Sequence, residues 1–414
     1  MTTRKRAQKE LARYHRERET RERTQLPRVK LRARRQNTHP WVYRRMLEIP
    51  RQEVEPGALV EAYSRNGEFV GKGFYNGHSE IALRLLTDDP REIIDAAWFR
   101  KQIAAAARMR NDVLHLPDCT DAYRVVHSEG DGLSGLVVDR FGSLLVAELF
   151  SAGMHRYWKW VAQGLEAAFP STEIVVRADR RSEKLEGVKM DGPPPSEKAR
   201  HVVIQEHGAK FHVDLRRGHK TGYFLDQREN RQRMAQLSRG QTLFDGFCYT
   251  GGFAIHAAKT GAKHVEAVDL DEDVLSIGEK NRSLNGLKDK IDFQHGNVFD
   301  VLRAHRTAKR RFPRMVLDPA KLAIARHERS KALGAYRDMN RLGIQCLERG
   351  GVLLSCSCTG LISEEDFLDA LRSAADEARV DLQIFHIDGA APDHPFAARM
   401  PEGRYLKAVF ARVR

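Results

Sequence analysis

The sequence has no apolar run approaching the roughly 20 residues that a bilayer-spanning helix needs, and its basic N-terminal stretch is not followed by an apolar segment of the secretory kind. The expected location is the cytoplasm. Cysteine is scarce: five residues, at 119, 248, 346, 356 and 358, an odd number without the spacing of a disulfide framework. Reduced thiols are expected. Cys356 and Cys358 have no second Cys or His pair at zinc spacing, so no metal site is expected either. Also missing is the Gly-x-Gly-x-x-Gly turn of dinucleotide enzymes, which disfavours a nicotinamide oxidoreductase.

Acidic residues are outnumbered, with 56 Asp and Glu against 70 Lys and Arg, giving +14. Residues 1–35 carry fourteen Lys and Arg against four Glu, so that +10 lies there and about +4 in the rest. A basic arm over residues 1–27 is either a solvated tail or a contact for a polyanion, and composition does not choose between them. A chain of 414 residues exceeds one ordinary core, so two or three domains are expected.

What is present is organised around Leu243 to Asp269. An apolar strand turns at Gly251-Gly252, continues as a helix from Phe253 to Thr260, and returns as the strand Val265 to Val268. Glycines at that turn permit positive φ and a close approach of a ligand to the helix N-terminus. Asp269 follows at the distance where a carboxylate accepts ribose hydroxyls. Asp245, ending the first strand, suits an ammonium. S-adenosylmethionine carries both groups.

Upstream, short strands are expected at Val29 to Leu31, Trp41 to Tyr43, Ala58 to Tyr63, Phe69 to Phe74 and Ile81 to Leu86. Asn66-Gly67 predicts a type I′ hairpin, and the set predicts a small β-barrel over residues 28–92. Arg32, Arg34, Arg35, Arg44, Arg45 and Arg84 interleave with Trp41, Tyr43 and Tyr75, a mixture of cations and stacking surfaces that suits RNA. Residues 93–195 read as a central α/β domain. It opens on a helix from Ile94 to Val113, with Trp98, Phe99 and Ile103 on one stripe, and ends at the linker Gly192-Pro-Pro-Pro195.

From 196 to 414 the pattern is α/β. A polar loop, Gly218 to Arg228, leads into a helix reaching Leu237, and strands follow at Ile291, Arg314 and Val352. Ligands of open α/β sheets bind at strand carboxyl ends, which singles out Asn297 for an adenine edge, Asp318-Pro-Ala-Lys321, and the cysteines 356 and 358. A carboxylate and a thiol beside a methyl donor suit pyrimidine methylation. Carbon 5 of cytosine is a weak nucleophile until a thiolate adds to carbon 6, and Asp318 is placed to stabilise the protonated ring nitrogen. Alternation puts Cys356 and Cys358 on one side, so periodicity alone leaves the nucleophile open.

The motifs together resemble the bacterial large-ribosomal-subunit RNA cytosine-5 methyltransferases. The likeness covers residues 28 to 414 through His39-Pro-Trp41, Asp131-Gly132, Asp139-Arg-Phe-Gly142, Gly218-His-Lys-Thr-Gly-Tyr223, Leu225-Asp-Gln-Arg228 and Tyr249-Thr-Gly-Gly-Phe253. Asp318-Pro319 with Lys321, Ser357-Cys358 with Gly360, Asp393-His-Pro395 and Pro401-Glu-Gly403 complete it.

The resemblance implies a PUA domain, a central α/β domain and a Rossmann-like, class I methyltransferase domain acting on 23S ribosomal RNA. It implies Cys358 and Asp318 as catalytic residues. For the cofactor it implies Asp245, Tyr249, Gly251, Gly252, Asp269, Asn297 and Gln227, and for the substrate Lys220, Pro319, Lys321 and Trp41. Two positions depart from the family pattern: Ala320 stands where a second proline is usual, and Asn297 near where an acidic residue is expected. The alternatives are a noncatalytic RNA-binding assembly factor on the same fold and methylation of a different base of the same ribosomal RNA. The sequence leaves open the oligomeric state, a homodimer included, and the acceptor of the carbon 5 proton.

Overall fold

The computed structural model describes residues 26–32, 38–50, 52–178, 180–190, 201–214 and 223–414. The expected basic arm (all but its last two residues), Arg34, Arg35, the linker Gly192-Pro-Pro-Pro195 and Lys220 lie outside the described residues. Among the described residues no helix is long and apolar enough to cross a membrane.

Five strands, β1 (Arg28–Lys30), β2 (Trp41–Val42), β3 (Ala58–Tyr63), β4 (Phe69–Tyr75) and β5 (Leu83–Thr87), form one sheet in the order β1-β3-β4-β5-β2. The β4–β5 pair is close: a Cβ on Gly73 would meet the Arg84 carbonyl oxygen at 2.0 Å. The turn between β3 and β4 differs from the expected type I′. Gly67 is left-handed but Asn66 is not, and the Gly67 amide donates to Ser64 O, so a type I turn with a left-handed glycine makes a three-residue loop.

A second sheet contains β6 (Ala122–His127), β7 (Leu136–Phe141), β8 (Leu144–Leu149) and β9 (Glu173–Ala178) in chain order. Helices α1 (Ala96–Arg108) and α2 (Trp158–Ala168) pack on it, burying Trp98, Phe99 and Ile103 against Val161 and Leu165. The helix expected to run to Val113 instead ends its α geometry at Arg108 and continues as a π turn, Met109–Val113. That turn holds Arg110, which is fully buried and bidentate on Asp131.

A hairpin of β10 (Val202–Glu206) and β11 (Ala209–Val213), not expected from the sequence, precedes the last sheet. That sheet contains β12 (Thr242–Gly246), β13 (His264–Asp269), β14 (Ile291–His295), β15 (Phe312–Leu317), β16 (Leu347–Ser357), β17 (Leu382–Asp388) and β18 (Lys407–Val413). Its order is β14-β13-β12-β15-β16-β18-β17, parallel through β16 and antiparallel beyond. The central strands β12 and β13 are buried on both faces because helices cover both, whereas the edge strand β14 exposes Asp292, Gln294 and His295. Those helices include α3 (Arg228–Leu237), α4 (Gly252–Thr260), α5 (Glu272–Leu284), α6 (Val298–Thr307), α7 (Arg329–Gln345) and α8 (Glu364–Ala378). Chain order reverses at β12, flanked by β13 and β15, which opens a crevice at the strand carboxyl ends.

Buried ion pairs join the second sheet to the third. Arg228 grips Asp393 with both terminal nitrogens, at 3.0 and 3.1 Å, and all of this is buried. Asp393 also accepts from the Arg124 amide at 2.8 Å, and its carbonyl from Arg110 at 2.7 Å. Burial raises the Asp393 carboxyl, but His394 and Arg228 outweigh it and hold the group well below the carboxylate range. A second knot places Glu206 between Arg231, at 2.7 Å, and His256, at 3.0 Å.

Candidate active site

A cavity of about 710 Å³ lies over the carboxyl ends of β12, β13 and β15 and the exit of β16. The backbone after β12 shapes one side. Phe247, Tyr249 and Gly251 all have positive φ, at 64°, 51° and 82°, and such alternation turns successive amide groups toward one side as an anion- or ligand-binding concavity. At Gly251 a side chain is excluded twice, by its φ and because a Cβ would lie 2.7 Å from the Phe293 ring. Gly252 lines the cavity and begins α4.

Asp269 lines the cavity at the end of β13. It holds the turn in place, Oδ2 accepting from the Tyr249 amide at 2.8 Å and Oδ1 from the Asp271 amide at 3.1 Å. Asp245 is under the turn and does not line the cavity. Its Oδ2 accepts from the Ala254 amide at 3.0 Å inside α4, while Oδ1 is buried with no hydrogen-bond partner. Burial, with Asp318 and Asp269 nearby, raises the Asp245 carboxyl well above the usual range. Thr250 Oγ1 is likewise buried without a partner. Two orphaned polar atoms beside a glycine turn fit a cofactor that brings an ammonium and hydroxyls. Asn297 is exposed on the rim and caps α6, its Oδ1 accepting from the Phe299 amide at 2.9 Å.

Across β12 and β15, three strand steps or roughly 14 Å from Asp269, β16 delivers the thiols. Cys356 is completely buried within β16, in the apolar core, and burial with Asp318 nearby pushes its thiol well up. Cys358, just past the strand end, is half-buried and lines the cavity, its Sγ 4.0 Å from the Pro319 carbonyl oxygen. Depth in the strand thus separates two residues that alternation leaves equivalent. Cys248 lines the cavity too, but burial raises its thiol, helped by Asp245 and Asp269. Cys346 is buried one residue beyond α7.

Asp318, Pro319, Ala320 and Lys321 form the wall beside Cys358. Gln227, read from the sequence as a cofactor ligand, donates its side-chain amide to Asp318 Oδ2 at 3.0 Å and is itself oriented by Asn230, whose amide meets Gln227 Oε1 at 2.6 Å. Asp226 lines the same wall and accepts from the Tyr405 hydroxyl at 2.6 Å. These supports were not anticipated, although the Leu225-Asp-Gln-Arg228 motif contains two of them, Asp226 and Gln227.

Trp41 is far in sequence from this cavity and serves a junction between the first two sheets. Its indole N–H donates to Glu129 at 2.7 Å, and the Arg84 guanidinium lies 5.6 Å from its ring centroid. Arg84, expected among surface cations, is buried and paired with Glu186 and Glu129. Arg32, Tyr43, Arg44 and Arg45 are exposed.

Residues 30–88 match the family model of a PUA-like domain, and residues 189–398 that of an S-adenosylmethionine-dependent methyltransferase. The ribosomal RNA large subunit methyltransferase I of Aeromonas hydrophila subsp. hydrophila is 38% identical over 383 residues, 91% of this chain and 96% of that protein. The protein of the same name from Shewanella frigidimarina is 34% identical, over 93% of this chain and 99% of its own. Among solved structures, one described as a methyltransferase complexed with SAH aligns with a TM-score of 0.77 at 18% identity, over 91% of this chain and 96% of that one. A Streptococcus mutans structure aligns at 0.75, over 90% and 95%, also at 18% identity. At 34% and 38% identity over more than nine-tenths of each chain, the chain belongs to the ribosomal RNA large subunit methyltransferase I family of S-adenosylmethionine-dependent methyltransferases.

Proposed function

We propose that this protein methylates carbon 5 of a cytosine in 23S ribosomal RNA through a covalent adduct on Cys358. The observation that carries the reading is the meeting of Cys358 and Asp318 on one cavity wall, three strand ends from Asp269. S-adenosylmethionine would be held by Asp269, Tyr249 and the turn at Gly251-Gly252, with Asp245 buried beneath that turn, and would supply an electrophilic methyl group. The Cys358 thiolate adds to carbon 6 of the flipped base, because that carbon is open to attack only from the face of the ring. Asp318, oriented by Gln227, hydrogen-bonds the protonated ring nitrogen, so charge from the addition does not build on the ring. Carbon 5 would then take the methyl with S-adenosylhomocysteine as the leaving group, its proton would pass to a base, and the carbon–sulfur bond would break to return the Cys358 thiolate.

The same reading assigns residues 1–27 to a basic arm, 28–92 to the PUA-like barrel, 93–195 to the central domain and 196–414 to the methyltransferase domain. Pro319, Lys321 and Lys220 serve the RNA, with Trp41 joining them on the barrel side. The enzyme works in the cytoplasm, where its substrate is assembled.

The test is RNA bearing 5-fluorocytosine, whose fluorine is not lost as a proton, so the adduct accumulates. A trapped peptide containing Cys358 is expected, together with loss of bisulfite-resistant cytosine in ribosomal RNA from cells lacking the gene. Binding of RNA with no adduct and no change in bisulfite pattern would instead favour the assembly-factor reading.

A further inference from the structure

Lys407 opens β18 with its ammonium inside the protein, 4% exposed. Nζ donates to the carbonyl oxygens of Thr359 at 2.8 Å, Ile362 at 2.8 Å and Tyr405 at 2.9 Å. Three acceptors call for three N–H groups. A neutral amine has two, and would turn its lone pair on a carbonyl oxygen, so the cage fits the charged form. A buried cation held only by neutral oxygens is costly unless a negative charge stands near.

Among the described residues Lys407 makes no ion pair with a carboxylate. Glu364 and Asp366, at the start of α8, are engaged by Arg404 and Arg329 near the surface. Burial lowers the Lys407 ammonium to about 8, and the group that most opposes this is Cys358, ahead of Glu364 and Asp366. Thr359, whose carbonyl the ammonium grips, follows Cys358 directly, and its hydroxyl is fixed by Tyr336 at 2.9 Å. Other titratable groups near Cys358 are Tyr336 on α7, Cys356 on β16, Tyr405 ahead of β18 and Asp318 on the shared wall. Lys321 lines the same cavity but is exposed to solvent. Arg231 lines the cavity and is buried too, but Glu206 pairs with it, so Lys407 is the buried cation here that has no carboxylate partner among the described residues.

We propose that Lys407 is a positioning residue that fixes the Thr359 to Ile362 loop through its carbonyls and supplies the positive charge that keeps Cys358 a thiolate. The inference deepens the reading of Cys358 as nucleophile and rests on it. A thiol at the end of a strand is thereby activated by the first residue of the antiparallel neighbour.

The experiment is alkylation of the full chain by iodoacetamide across pH, with Cys358 followed by peptide mass. Lys407→Gln and Lys407→Met should slow its alkylation at pH 7 by roughly tenfold and recover at pH 10, while Lys407→Arg keeps the wild-type profile. Retained S-adenosylmethionine binding by calorimetry reports an intact fold. A rate reduced equally at every pH would mean that Lys407 only packs the loop, and would overturn the proposal.

The wild-type chain gives an independent reading. Cys358 should react faster than the half-buried Cys119 at pH 6.5 and lose that advantage at pH 10, so equal rates at pH 6.5 would also sink the idea, whether or not the variants fold. Full methyl transfer by Cys358→Ala would remove the nucleophile reading, yet the alkylation profile would still report whether Lys407 holds the thiolate.

Discussion

Gln227 hands its amide to Asp318 across 3.0 Å, and Asn230 fixes which end of that amide faces the carboxylate. Gln227→Ala is expected to lower kcat about 10- to 100-fold, the loss of roughly 1.5–3 kcal/mol for a hydrogen bond to a charged group, with cofactor affinity kept. Steady-state kinetics and calorimetry separate the two roles. A fall in S-adenosylmethionine affinity at unchanged kcat would make Gln227 the cofactor contact that the sequence first suggests.

Asp269→Ala should weaken S-adenosylmethionine binding by about 1–3 kcal/mol, since the carboxylate both faces the cavity and holds the Tyr249 amide. Titration calorimetry measures it directly. Unchanged affinity would place the cofactor elsewhere in the crevice.

Cys356→Ala removes one atom from a closed core and should cost about 1 kcal/mol of stability with most activity kept. Cys358→Ala should abolish methyl transfer and spare cofactor binding. The pair is decided by a methyl-transfer assay beside thermal melts, and an inactive but stable Cys356→Ala protein would reverse the assignment.

The Asp393 to Arg228 contact predicts both a mutational and a pH effect. Asp393→Ala strips both terminal nitrogens of the fully buried Arg228 guanidinium of their carboxylate and leaves only Glu229 on Nε, a change of about 3 kcal/mol in chemical denaturation. The folded carboxyls of Asp393 and Glu206 are held below their unfolded values, burial opposing and their cationic partners prevailing. Their contribution is therefore complete above about pH 4 and is lost as pH falls further through the folded values. Urea midpoints from pH 7 to pH 3 should drop steeply at the acid end, and less steeply in Asp393→Asn.

Much of the local structure follows from the sequence alone. The strand, glycine turn, helix and strand from Leu243 to Asp269 are recoverable because period, glycine and an acidic strand end are all local signals. The same holds for β3 and the stripe of Trp98, Phe99 and Ile103. The antiparallel pair of β17 and β18 was not legible, since β17 has no buried face and β18 is buried at nearly every residue; the hairpin of β10 and β11 does alternate, with Ala209, Phe211 and Val213 buried, and went unread.

The site itself was decided by tertiary structure. Alternation fixes a side of the sheet for Cys356 and Cys358 but not what covers it, and only the packed fold buries one and opens the other to the cavity. Arg84 and Trp41 carry the chemistry of a surface reader, yet Glu186, 102 residues beyond Arg84, draws Arg84 inward together with Glu129, and Glu129, 88 residues beyond Trp41, anchors the indole. Lys407 gives no signal in its own neighbourhood, because two of the three carbonyls that cage it, those of Thr359 and Ile362, become neighbours only when β18 lies beside β16. Sequence determines each residue's chemistry and local period; burial and charge partners come from segments far apart in the chain, and these determine which groups are charged, reactive and accessible.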